Sequence, residues 1–363
     1  MAYTTIDDPS AHFQIMLFTG DLNDNRALTN DGNSDLQPDL IWFKNRATTN
    51  SHNVLDSSRG VGLTFEGTNS DGAEGGTSTR LTSFDSDGFT VRTDPSVNGD
   101  GNGIVAWQWK ANGGSEVSVS ASGSGITDIL ASSHQANTTA GFSIVKWTGD
   151  NSEAYVSHGL GAVPHCYIVK NRDTGTTNWM MYHKETGGDA GMIFNTTAAR
   201  DVSSFWRNSD AASTGDPTSS IFKLGTQAYT GGNTDAMIAY CWAPIQGYSK
   251  FGIYTGNGDD DAAFIYTGFK PAWVITKHVG GSNYWHIHDI KRNPFNVVGK
   301  HLMANDPMVE QDPAGGENSR DFLSNGFKFR DADHNNQDGN THIYMAFAEQ
   351  PFVTSGGVPC TAH

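Results

Sequence analysis

PDLIWFKNR, residues 38–46, decides the fold. Leu40, Trp42 and Lys44 alternate with Ile41, Phe43 and Asn45 in a run of only six or so residues, the pattern of a short strand. The block returns as PHCYIVKNR at 164–172 and as PAWVITKHV at 271–279, with a proline, an apolar run and a lysine at matching offsets. Working outward, an aromatic-Thr-Gly turn precedes each copy, at Phe18, Trp147 and Tyr254, and a closing block follows, IVAWQW at 104–109, MIAYCW at 237–242 and IYMAFA at 343–348. The spacings between copies are 126 and 107 residues for the prolines and 129 and 107 for the turns. Ordered matches at separate blocks make an internal repeat, and the closing blocks align Ala106, Ala239 and Ala346.

Helical spacing of apolar residues is nearly absent, and Gly, Asn, Asp and Ser punctuate the chain about every dozen residues. The expected fold is therefore all-β, with three tandem antiparallel β-sandwich units of the jelly-roll type. Unit one would span 1–112, unit two 140–246 and unit three 247–363. Residues 113–139, which include VSVSASGSG, read as a Gly/Ser-rich linker. The 363-residue length agrees with two or three compact units.

Composition limits the function. Counting Gly with the apolar residues brings their share to about 45%, ordinary for a globular chain, while charged residues are only 17%. The 23 basic and 39 acidic residues leave a net charge of −16, spread along the chain, which repels phosphate backbones and makes nucleic acid a poor partner. No apolar run approaches the roughly 18 residues of a membrane span, and MAYTTIDDPSAH has neither the basic nor the apolar part of a secretory signal. Three cysteines without CxxC spacing argue against a disulfide framework or a structural zinc site.

Taken together, MAYTTIDDPSAHFQ, NDGNSDLQPDLIWFKNR, SRG at 58–60, FDSDGF at 84–89, AWQWKANGG, HGLGAVPHCYIVKNR and the C-terminal GGVP resemble a family of virion structural proteins of marine tailed bacteriophages. The resemblance covers nearly the whole chain from Met1 and implies a complete structural protein with tandem concanavalin-like sandwiches. It transfers no catalytic or binding residue. The third copy departs from it, with KHV where the others have KNR, so a role for that Asn-Arg pair is in doubt there. The implied function is a non-enzymatic virion component, a tail-fibre or spike subunit that binds a host surface glycan or mediates assembly. Its partners would be itself as a homo-oligomer, with a trimer favoured, and other virion proteins. A capsid decoration protein and a glycan depolymerase are the rival readings.

Three groups of residues are candidates for chemistry. Trp206 with Arg207, Asn208 and Asp210 falls outside the repeat pattern and reads as an exposed sugar-binding loop. His286 and His288, two apart on a strand, would project to one face and offer two imidazoles to a metal; the equivalent stretches, 52–56 and 179–183, carry other chemistry, so a packing strand with variable chemistry is the better reading. Asp31 and Asp35, in an acidic loop like that at 259–261, have oxygen ligands that suit calcium, although Asx turns explain such loops equally well. No cofactor is otherwise implied.

Overall fold

In the computed structural model the chain is 42% strand and 2% helical. The structure describes residues 2–361 except 77, 124–127, 204, 207–213, 314–315 and 333. One strand order occurs three times: lead, closing, second and third strand, all antiparallel. These are Phe13–Thr19, Gly103–Trp109, Leu40–Asn45 and Asn53–Asp56 in the first sheet. In the second they are Phe142–Asp150, Asn233–Trp242, Cys166–Asn171 and Met180–His183. In the third they are Ser249–Thr255, Thr341–Pro351, Phe269–His278 and His286–Asp289. The all-β expectation is met.

Each large sheet packs one face against a small sheet of its own repeat. In the first repeat Ile41, Phe43, Leu55, Ile104 and Ala106 meet Leu81, Phe89 and Val91 in this way. The alternate residues, Leu40, Trp42, Val54, Val105, Trp107 and Trp109, point the other way into a core shared by all three sheets. There Trp42 lies 5.2 Å from Trp107 and Trp109 lies 6.2 Å from Trp242 and 5.9 Å from Trp273, ring centre to ring centre. All six residues of Leu40–Asn45 and of Cys166–Asn171 are consequently buried, which is why LIWF and CYIV are apolar at consecutive positions.

A lysine in such a strand needs a reason. Lys44, Lys170 and Lys277 are buried, and each Nζ donates to the carbonyl of the next residue, Asn45, Asn171 or His278, at 2.6 to 2.8 Å. They close the loop that leaves the strand from within.

Two expectations change. Residues 113–139 contain strands Val117–Val119 and Ser132–Asn137, and the latter pairs along Phe142–Asp150, extending the second sheet where a linker was expected. The polar sequence SSHQAN of the latter gives no apolar alternation to read. The closing strands align differently as well. Phe43 faces Ala106 and Val169 faces Ala239, but Thr276, the residue before Lys277, faces Tyr344, so Ala346 lies two residues past the equivalent position. The exchange is compensated across the strand. Tyr344 pairs with Gly252, where an added Cβ would stand 2.8 Å from the tyrosine ring, whereas Ala106 pairs with Met16.

Charged groups hold the sheets to one another. Arg59 Nε donates to Asp56 at 2.5 Å and its Nη1 lies 2.9 Å from Glu74, which also binds Arg172 of the second KNR block at 2.8 Å. Tyr240 of the second sheet donates to the same Asp56 at 2.8 Å. The pattern repeats where the third sheet meets the first. Arg292 binds Asp289 at 2.6 Å and Glu310 at 3.3 Å, Glu310 binds Arg46 of the first KNR block at 2.7 Å, and Trp107 Nε1 donates to Asp289 at 3.0 Å. Burial would push Arg59 down, but Asp56, Tyr240 and Glu74 outweigh it and hold it above the ordinary arginine value.

At the junction between second and third sheets the backbone bond survives without the ion pair. Arg200 N donates to Val279 O at 2.8 Å, as Glu74 N does to Arg172 O and Glu310 N to Arg46 O. Arg200 thus stands where the others have glutamate and Val279 where they have arginine. This accounts for KHV.

Several histidines are buried and neutral. His183 is pushed down to about 4 by burial, and His52 to about 3 by burial and then Lys44. The unfolded chain, with histidines near 6.5, binds these protons first as pH falls. Stability is therefore full above about pH 6.5 and is lost toward pH 4, by on the order of 3 kcal/mol for His183 alone. Urea unfolding at pH 7.5, 6 and 5 should show a falling midpoint; a midpoint independent of pH over this range would contradict the assignment.

Candidate binding groove

The three sequence-derived groups do not meet in one place. Trp206 is fully buried: its ring packs edge-on against Tyr167 at 4.9 Å, and Nε1 donates to Ala190 O at 3.1 Å. The exposed-loop reading is corrected, because the second small sheet, Ala154–Ser157 with Ile221–Leu224, has only two strands and Trp206 completes the cover over the large sheet. Arg207, Asn208 and Asp210 lie outside the described residues. Asp31 receives Lys291 Nζ at 2.9 Å on both oxygens, a surface pair that ties the first repeat to the third, and Asp35 is exposed. Asp261 pairs with Lys328 and with Arg330. His286 and His288 do share one face, inside the third sandwich and shielded from solvent. Among the described residues no three His, Cys, Asp or Glu side chains form a group that could hold a metal ion.

A different site is built where the second and third repeats adjoin. It is a groove of about 740 Å³ lined by Lys184, Glu185, Gln246, Lys250, Tyr266 and Tyr344 among others. Its outer wall is the strand Phe264–Tyr266, which pairs on one side only, with Gly326–Phe329. Alternation turns Ile265 toward the core and leaves Phe264 and Tyr266 on the open face, 44% and 47% exposed. Opposite runs Ser249–Thr255, also at the edge of its sheet.

Tyr266 is held in place by its neighbours. Lys250 Nζ donates to Tyr266 O at 2.7 Å and lies 5.0 Å from its ring centre, while Tyr3 donates to Gly268 O at 2.7 Å and sits 3.1 Å from the Tyr266 hydroxyl. Burial, and then the like charge of Lys184, pushes Lys250 down; burial, and then Glu185, pushes Tyr344 up. The groove thus offers two exposed aromatic faces beside ammonium, carboxylate and amide groups. Such a surface suits a polar ligand that also has flat apolar patches, as sugars do.

The sequence contained a usable sign of this wall. Phe264-Ile265-Tyr266 stands in GNGDDDAAFIYTGFK, an aromatic pair two residues apart within an acidic, Gly-rich loop. Reading the segment only as a divergent loop hid it.

No curated protein and no solved structure matches the chain. One family model does, over residues 8–351, a span that takes in all three sheets and both ion-pair clusters. The chain belongs to the family described as a domain of unknown function, DUF7483.

Proposed function

We propose that this chain is a non-enzymatic structural protein of a phage virion, a tail-fibre or spike subunit that attaches to a bacterial surface glycan through the groove between its second and third repeats. The observation that carries the glycan part is the exposed pair Phe264 and Tyr266 beside Lys250, Glu185 and Gln246. The virion part rests on the sequence resemblance. In this reading the protein works as a homo-oligomer, a trimer, with other virion proteins as neighbours, and mass measurement in solution tests that state.

The doubly substituted F264A/Y266A protein should bind isolated host surface polysaccharide at least tenfold more weakly, about 1.4 kcal/mol. Its unfolding midpoint should change little, since exposed side chains usually contribute within about 0.5 kcal/mol. Undiminished polysaccharide binding would remove the groove from the proposal. Antibody labelling of intact particles separates tail from capsid, and release of reducing sugar by the parent protein would replace attachment with depolymerisation.

A further inference from the structure

The interior of the third sandwich differs in kind from that of its sisters. In the first repeat Leu81 faces Val91 across the small sheet; at the equivalent place in the third, Arg320 faces Phe329. On the opposing large sheet Leu55 is replaced by His288 and Asn53 by His286, while the second repeat has Tyr182 and Met180 there. The fold is thus completed twice by mainly apolar side chains and once by a guanidinium and two imidazoles.

Arg320 is fully buried, and among the described residues none of its three guanidinium nitrogens has a hydrogen-bond partner. The guanidinium carbon of Arg320 lies 4.7 Å from the centre of the Phe329 ring, and among the described residues Arg320 forms no salt bridge. All four ring nitrogens of His286 and His288 are likewise buried and without a hydrogen-bond partner among the described residues. His301, directly opposite His288 on the neighbouring strand, brings a third ring within 5.4 Å of His288 and 5.3 Å of His286. His334, Lys277, Arg292, Tyr254 and Asp331 are the other titratable groups that act on this cluster.

A buried, unpaired guanidinium is among the most costly groups a core can contain, and a bound ion or water is one way such a group is satisfied. The charge selects the sign. A metal cation beside Arg320 would meet repulsion, whereas an anion would accept from the guanidinium and from one N–H of each neutral imidazole. We propose that the interior of the third repeat holds a small inorganic anion, of the halide or tetrahedral oxyanion class, between Arg320, His286 and His288. This site is independent of the groove.

The test uses the full chain, dialysed into gluconate buffer and then titrated at constant ionic strength with chloride, sulfate or phosphate. A bound anion raises the unfolding temperature as its concentration passes Kd. One class of anion should give a saturating rise in the parent protein and none in Arg320→Leu, which restores the residue type of the first repeat. Crystals grown with bromide or selenate, the heavier counterparts of chloride and sulfate, should show an anomalous peak within hydrogen-bonding distance of Arg320 and His288. The inference fails if the rise persists in Arg320→Leu, or if neither heavier anion gives a peak there. It also fails if the purified chain carries a stoichiometric transition metal that is lost in His288→Leu. The anomalous measurement uses the parent protein and so decides the matter even if Arg320→Leu does not fold.

Discussion

Asp289→Ala is expected to lower the free energy of unfolding by about 3–5 kcal/mol. The carboxylate is inaccessible, as is its partner Arg292, and it also accepts from Trp107 Nε1, so its loss strands a buried cation and a buried indole N–H together. Glu310 remains near Arg292 but is shared with Arg46. Asp289→Asn should cost nearly as much, because it keeps the volume and removes the charge. By contrast D289L/R292M, which removes both ions, should recover most of the loss. Urea unfolding of the four proteins at pH 7.5 measures this. A loss below 1 kcal/mol for Asp289→Ala would show that the cluster does not hold the first and third sheets together.

Trp206→Ala should also cost about 3–5 kcal/mol, the usual range for deleting a fully buried indole. Its ring packs edge-on against the stacked Tyr167 and Tyr182, and Ala190 O would lose its donor. Trp206→Phe keeps part of the ring contact and should lose less. At a temperature where both variants remain folded, polysaccharide binding should equal that of the parent. Weakened binding by folded Trp206→Phe would return this residue to the binding surface.

How much of this was legible in the sequence depends on which residues carry the information. Strands showed plainly because the lysine of each KNR or KHV block sits at a fixed offset from its proline and closes the same loop, whatever the packing around it. The closing strands were harder. Alanine appears in all three blocks, yet register depends on volumes summed across two strands, and the Gly252 with Tyr344 exchange moved the alanine by two places.

Double burial was written in LIWF and CYIV, whose consecutive apolar residues exceed what a sandwich open to water on one side needs. The partners of Arg59 and Arg292 were not legible. Glu74 and Glu310 stand in ordinary polar loops, and only the folded chain shows that each is shared with an arginine from another repeat. Trp206 misled for a related reason: lying outside the repeat pattern looked like exposure, when it marked a local solution to a short small sheet.

The missing ion pair between the second and third sheets has a consequence for valency. Three identical chains arranged in this way would have three identical junctions, and a change at one would be a change at all. A single chain that carries the arrangement internally can alter one junction alone. Here Arg200 and Val279 replace the ion pair at the same junction beside which Lys184, Glu185 and Lys250 line the groove. On the proposed attachment reading, the altered junction gives each chain one such groove, and hold on a repetitive surface would depend on the number of chains displayed together and the distance between them.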